Sequence, residues 1–250
     1  MSVAKNVHYF TPARRGQRKR AFEWADLILA TYPDKLVEWF PEVPHSKIAW
    51  SPHAAASYFF QTDARPLAAR ESDRVLLSGS RSWPYPFRQF CKVKIPDSIC
   101  AVIDHPGYPG YPGDRANSSR ADAAALMRVG REQYSKLLYD HPASLVCGSI
   151  FNYLVAKVFE SMAAGCIALC ERASLAHRLS ALGFIEGEHF IGTSLQTVID
   201  DCADLHKACA RGDQRLEKIA ADASRKVALD HSTEVRAKKI HQMCVEGIVS

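Results

Sequence analysis

Apolar and polar positions fall in alternating blocks from about residue 74 onward. Short unbroken apolar runs, the mark of strands buried on both faces, are separated by segments whose apolar residues recur three and four apart. The pattern predicts strands over 74–80, 98–105, 143–149 and 166–170. It predicts helices beginning at 85–93, over 121–141, and across the stretch that carries Lys157 and Glu160. After Thr193 the period is helical to the end, over 194–209, 214–231 and 233–247. Upstream, residues 25–32 and 46–53 read as strands and 33–40 as a short helix opened by Pro33, while the polar stretch 61–73 reads as a linker. Strand–helix alternation of this kind argues for an α/β fold whose parallel sheet is joined by crossover helices. The expected division is a partial amino-terminal α/β segment, residues 1–65, and a Rossmann-like domain with a helical tail, residues 72–250.

Composition adds little against this reading. With 250 residues and 47% hydrophobic content, the chain can build one large core or two small ones. No apolar run reaches membrane-spanning length and no signal peptide opens the chain, so no transmembrane segment is expected. The eight cysteines form no CxxC pair and sit mostly in apolar stretches. Cys166 and Cys170 are four apart, but without a nearby histidine or second pair they do not make a zinc site. Reduced thiols point to the cytoplasm. The net charge of +5 suits a protein that handles phosphorylated ligands, without singling one out. Residues 11–20 hold five cations with no hydrophobic period and read as a solvated arm. A weaker reading has that arm touching anionic lipid or nucleic acid, although no aromatic residues interleave it as RNA recognition would want.

Ligands of open α/β sheets bind beyond the carboxyl ends of the strands, which directs attention to three stretches. In LLSGSRSWPYPFRQF, Gly79 permits a tight turn after a strand, and Arg81 or Arg88 can add charge-assisted bonds to a phosphate. The alternative is an ordinary turn with surface arginines. In KVFESMAAGCIALCE, Lys157 and Glu160 share a helix face near the same cleft edge. There a lysine can neutralise phosphate and a carboxylate can accept from a ribose diol; the same spacing also describes a surface ion pair worth little. The run 104–115, DHPGYPGYPGDR, reads as a long surface loop or a lid. His53, at the end of a predicted strand, falls at the mouth of any interdomain cleft.

Taken together, NYLVAKVFESMAAGCIALCE, LGFIEGEHFI and LEKIAADASRKVALDHSTEVRAKKI resemble the carboxyl-terminal domain of group 1 glycosyltransferases. The nearest likeness is to the branch of spore-maturation CgeB-like proteins, through Lys157, Glu160, Met162, Ala163 and Gly165, then Gly183, Phe184 and Glu186 to His189, then Ile219, Ala220, Val227, His231 and Arg236. The resemblance covers about residues 25–245 and is tightest over 143–240. It implies a GT-B fold, a nucleotide-sugar donor held mostly by the carboxyl-terminal domain, and a glycan or lipid acceptor on the amino-terminal side. By position, Gly79, Ser80 and Arg88 would surround the diphosphate, Lys157 would be a further phosphate contact, and Glu160 would grip the ribose. His53 would be the catalytic candidate on the acceptor side. The family implies no cofactor and no metal, cationic side chains taking over the charge of the leaving diphosphate. Two positions depart from the pattern. Many retaining members carry a glutamate eight residues before the Glu160 position, where this chain has Asn152, here taken as donor-binding. The segment before the linker is also too short for a complete acceptor domain. That shortness keeps an alternative in view: a catalytically incomplete relative that binds nucleotide-sugar, or that relies on self-association or a partner chain for its amino-terminal half.

Overall fold

The protein's structure, a computed structural model, describes residues 12–61, 63, 65–103 and 120–246, with side chains from residue 15 and, beyond the gap, from residue 130. Its amino-terminal unit consists of α1 (Pro12–Trp24), β1 (Ile28–Ala30), α2 (Pro33–Trp39) and β2 (Ile48–Trp50). The two strands pair in parallel, Ile28 opposite Ile48, over a small core of Phe22, Ile28, Leu36, Phe40 and Val43. The basic stretch expected to be a solvated arm forms, from Pro12, the start of α1, and its described side chains are exposed or half-exposed. Phe22 anchors the helix edge-on to Phe40, at 5.1 Å between rings, while Arg15 donates to the Trp39 carbonyl at 2.7 Å and lies over the Phe40 ring. One buried aromatic and one bonded guanidinium help outweigh the cost of gathering charge, while Lys19 and Arg20 stay exposed to water.

The chain leaves this unit just after β2. Ser51 still donates to the Ala30 carbonyl, but Ala55 pairs with the far end of the sequence, donating to His231 O at 3.0 Å and accepting from Thr233 N at 2.9 Å. Residues 65–73, within the stretch read as a linker, are not free. Leu67 is buried and its N–H reaches Glu217 Oε1 at 2.7 Å; the Arg70 guanidinium donates to the carbonyls of Tyr139 and Gly165, each at 2.7 Å. Arg70 thereby satisfies carbonyls at the ends of two elements, where backbone acceptors would otherwise lack partners.

The larger unit alternates as the sequence pattern predicts: β3 (Val75–Ser78), α3 (Pro86–Lys94), β4 (Cys100–Ile103), α4 (Arg120–Tyr139), β5 (Ala143–Val146), α5 (Ala156–Ala163) and β6 (Ile167–Glu171). Two short elements follow that the pattern did not mark, α6 (Arg172–Ala181) and β7 (Ile191–Thr193), then the helical tail α7 (Val198–Ala210), α8 (Gln214–Asp230) and α9 (Thr233–Glu246). All five strands are parallel, in the order β4-β3-β5-β6-β7. Leu76, Val146, Val158, Met162, Leu175 and Val227 fill one face of the sheet; Leu77, Phe87, Cys91, Leu145, Leu169 and Cys202 fill the other. Burial on both faces explains why these strands read as continuous apolar runs. Seven of the cysteines are buried and free, and only Cys244 is exposed. Among the described residues no helix is long and apolar enough to cross a membrane. The Pro/Gly/Tyr run 104–115 lies outside the described residues.

Candidate active site

From β3 the chain moves outward to β4, then returns past β3 to β5, so the direction of winding reverses between β3 and β5. A crevice at the carboxyl ends of the two strands is the consequence. Gly79 enters it with φ +94°, a backbone conformation other residues adopt only under strain. Lys157, in the first turn of α5, is buried and reaches across to β3, where its Nζ donates to Ser78 O and, at 2.9 Å, to Ser78 Oγ. A Cβ placed on Gly79 would stand 2.7 Å from that Nζ and 3.2 Å from Arg88 Nη1. Two cationic groups thus converge over a backbone that must stay bare.

Arg88 is 4% exposed, unusual for an arginine. It donates from Nη1 to Ser80 O at 3.2 Å and from Nη2 to Cys147 O at 3.3 Å, and its guanidinium stacks over Tyr85 at 4.1 Å. The alternative of a surface arginine does not hold. Burial first, and then the neighbouring Arg88 charge, drives the Lys157 ammonium well below the ordinary lysine range, with Glu160 pulling the other way. An arriving anion would offset both penalties through its attraction to the two cationic groups. Ser80 is exposed at the crevice mouth, its Oγ paired with Ser82 Oγ at 2.8 Å.

Glu160 is partly buried one turn along α5. Burial pushes its carboxyl up to about 7, against the pull of Lys157. The two side chains share a face as expected, yet they do not form the surface ion pair: Lys157 turns to Ser78, and among the described residues nothing hydrogen-bonds the Glu160 carboxylate. A carboxylate kept apart from the lysine beside it is available to a ligand's hydroxyls.

Asn152 and His53 form a second group. The turn after β5 holds two non-glycine residues with positive φ, Ser149 at 63° and Asn152 at 54°. Such paired strain persists only where surroundings enforce it. Here the Asn152 carbonyl accepts from Arg178 Nε at 2.6 Å, while Arg178 Nη2 bonds Asp34 Oδ2 of the amino-terminal unit at 2.6 Å. His53 Nε2 lies 3.0 Å from the Tyr32 hydroxyl, and Tyr32 stacks face to face on Tyr153, ring centres 3.9 Å apart. The cleft is therefore bridged by an ion pair, by the Tyr32–Tyr153 stack and by Trp39, which meets Phe151 edge-on at 6.4 Å between ring centres.

The structure thus brings Gly79, Arg88 and Lys157 together, places Glu160 one turn further and Ser80 at the mouth, and sets Asn152 and His53 along the interdomain edge. Sequence reasoning missed Ser78, which ends a strand and receives the lysine, and Arg178. Ser78 carried a faint signal, as the polar end of an apolar run; Arg178 carried none.

A family model described as glycosyl transferase-like matches residues 65–242. Comparison with curated proteins returns no match. Solved structures do share the fold. A glycosyltransferase from Rickettsia africae superimposes with a TM-score of 0.59 at 12% identity, covering 95% of this chain and 67% of its own. Anabaena Alr3699/HepE, solved in complex with UDP, gives 0.60 at 11% identity, over 96% of this chain and 69% of its own. Its complex with UDP and glucose gives 0.63 at the same identity and coverage.

Proposed function

We propose, from the premise that this chain belongs to the glycosyl transferase-like family, that it moves a glycosyl group from a nucleoside diphosphate sugar to an acceptor. The observation that carries the reading is the convergence of Lys157 Nζ and Arg88 Nη1 on the bare backbone of Gly79, at the switch point of the sheet. The diphosphate would lie there, with Ser80 at its edge and the Glu160 carboxylate accepting from the ribose diol. As the bond from the anomeric carbon to the diphosphate breaks, negative charge gathers on the leaving group, and fixed cations in a dry crevice stabilise it more than water would. This part needs no metal or other cofactor. Asn152 would face the sugar end of the donor, and His53 the acceptor. The two solved complexes of HepE with UDP support a uridine donor as the first to try.

Finer parts belong to the same reading. The chain is assigned to the CgeB-like branch by the residues quoted above. Residues 1–65 form the acceptor-side segment and 72–250 the donor domain. The acceptor is a glycan or lipid, and the short acceptor side is completed by a second copy or a partner chain. Seven buried free thiols suit a reducing, cytoplasmic setting.

Calorimetric titration with nucleoside diphosphates and their sugar esters tests the assignment. Binding of at least one is expected, weakened by about 1–3 kcal/mol in Glu160→Ala, the loss of a hydrogen bond to a charged group. Folded protein that binds none of them would refute the donor cleft.

A further inference from the structure

Beside the crevice, between the start of α3, the turn after β5 and the start of α6, lies a cavity of about 160 Å³. That is room enough for a group on the scale of a single pyranose ring, since one water needs only about 10–15 Å³ of such space. Tyr85, Cys147, Ser149, Asn152, Glu171 and Ser174 are among its lining residues. It therefore shares Asn152 and the strained turn with the expected sugar end of the donor site, and Cys147, whose carbonyl binds Arg88, joins it to the diphosphate end.

Glu171 is the only carboxylate among the residues that line this cavity. It ends β6 and occupies the N-cap position of α6, yet it makes no side-chain cap to that helix. Its Oε2 accepts instead from Ser174 Oγ at 2.6 Å. The same Ser174 oxygen accepts from Gly148 N at 2.8 Å, which leaves the hydroxyl proton to point at Glu171. One carboxylate oxygen is pinned, and Oε1 accepts no hydrogen bond from the described residues. Burial raises the Glu171 carboxyl above its usual range, while Ser174 and then Arg88 pull it back. Burial likewise pushes up the Cys147 thiol, so that residue contributes shape and no nucleophile.

We infer that Glu171 is the sugar-specificity residue of this chain, its Oε1 accepting from hydroxyls of the transferred glycosyl group seated in the cavity it shares with Asn152. Glu171 then supplies the carboxylate that the chain lacks at position 152. A fixed acceptor here selects donors with a hydroxyl in reach and rejects deoxy analogues, because a missing hydroxyl leaves a desolvated carboxylate unpaired.

The inference rests on the donor-cleft reading, and the test separates the two. UDP, GDP, ADP and dTDP are titrated, each free and as its hexosyl ester, against wild type, Glu171→Gln and Ser174→Ala. For whichever base binds, the free diphosphate should hold within about twofold in Glu171→Gln, while the hexosyl ester loses about 10- to 100-fold, the range for a hydrogen bond to a charged group. Ser174→Ala, which unpins the carboxylate, should fall between, and thermal melts establish that both variants are folded. Equal weakening of diphosphate and ester, or no change in either, overturns the Glu171 assignment and leaves the cleft standing. Wild-type protein that binds no nucleotide overturns both.

Discussion

Alanine at Gly79 probes the crevice most directly. The added Cβ meets strain and collision together: φ is +94°, and the new atom would lie 2.7 Å from Lys157 Nζ. The strain alone costs about 1–2 kcal/mol for an L-residue in left-handed space. The collision is relieved only if Nζ withdraws, and in doing so it gives up Ser78 O and Ser78 Oγ inside a buried pocket. Stranding those partners adds about 1–3 kcal/mol. The sum, about 2–5 kcal/mol, lowers Tm by about 5–15 °C in a chain of this size. Gly212 provides the control, since its φ is +67° and nothing stands within 4 Å of its would-be Cβ. Gly212→Ala should show the strain without the collision, about 1–2 kcal/mol. Denaturant unfolding of the two variants side by side, followed by nucleotide titration, isolates the term due to Lys157. Equal destabilisation would refute the packing of Lys157 over Gly79, and undiminished nucleotide binding by Gly79→Ala would refute the phosphate site.

Other perturbations test other contacts. His231 stands between Phe159 and Phe184, and burial together with Arg236 pushes its imidazole down to about 4 from an ordinary 6.5. The unfolded chain therefore takes the proton first. Stability present above pH 6.5 should drain away as pH falls toward 4, and His231→Phe should flatten that part of a melting-temperature profile. Arg178→Ala should cost about 1–3 kcal/mol through the Asn152 carbonyl, whereas Asp34→Asn should cost under ~1 kcal/mol, because the Asp34 side chain is 63% exposed; urea titration of both checks the order. Arg70→Ala should lose about 2–4 kcal/mol from its two carbonyl bonds, and Arg70→Lys should restore only part of it, since an ammonium lacks the planar fork.

Much of the larger unit could be read from the chain because burial on both faces leaves unbroken runs such as Val75–Leu77 and Ile167–Cys170. β7 escaped notice at three residues, one of them glycine. α6 escaped because Leu175 and Leu179 are its only large buried residues, too few to set a period. In α1 a surplus of cations hid the single anchor Phe22. At the site, the Gly79 turn and the Lys157 helix were legible because each is local. What Lys157 does was not: its partner Ser78 lies 79 positions away, and the helical spacing to Glu160 suggested a different mate. Arg178 bonding Asp34 across 144 positions, and Glu171 looking like any charge at a strand end, depend on the tertiary arrangement alone.

The Ala55–Ser232 bridge carries a mechanical consequence. The outgoing chain and the chain entering α9, whose Cys244 lines a cavity with Ala21, Phe22 and Ile28 of the amino-terminal unit, run side by side, laced by Ala55 N to His231 O and Thr233 N to Ala55 O. Two neighbouring tethers leave little room for sliding or separation, but they permit rotation about the line that joins them. The two units therefore have, to first order, one soft degree of freedom. Along that coordinate the Tyr32–Tyr153 stack, the Trp39–Phe151 contact and the Asp34–Arg178 pair would have to part for the cleft to open, while the Ala55–Ser232 pivot need not.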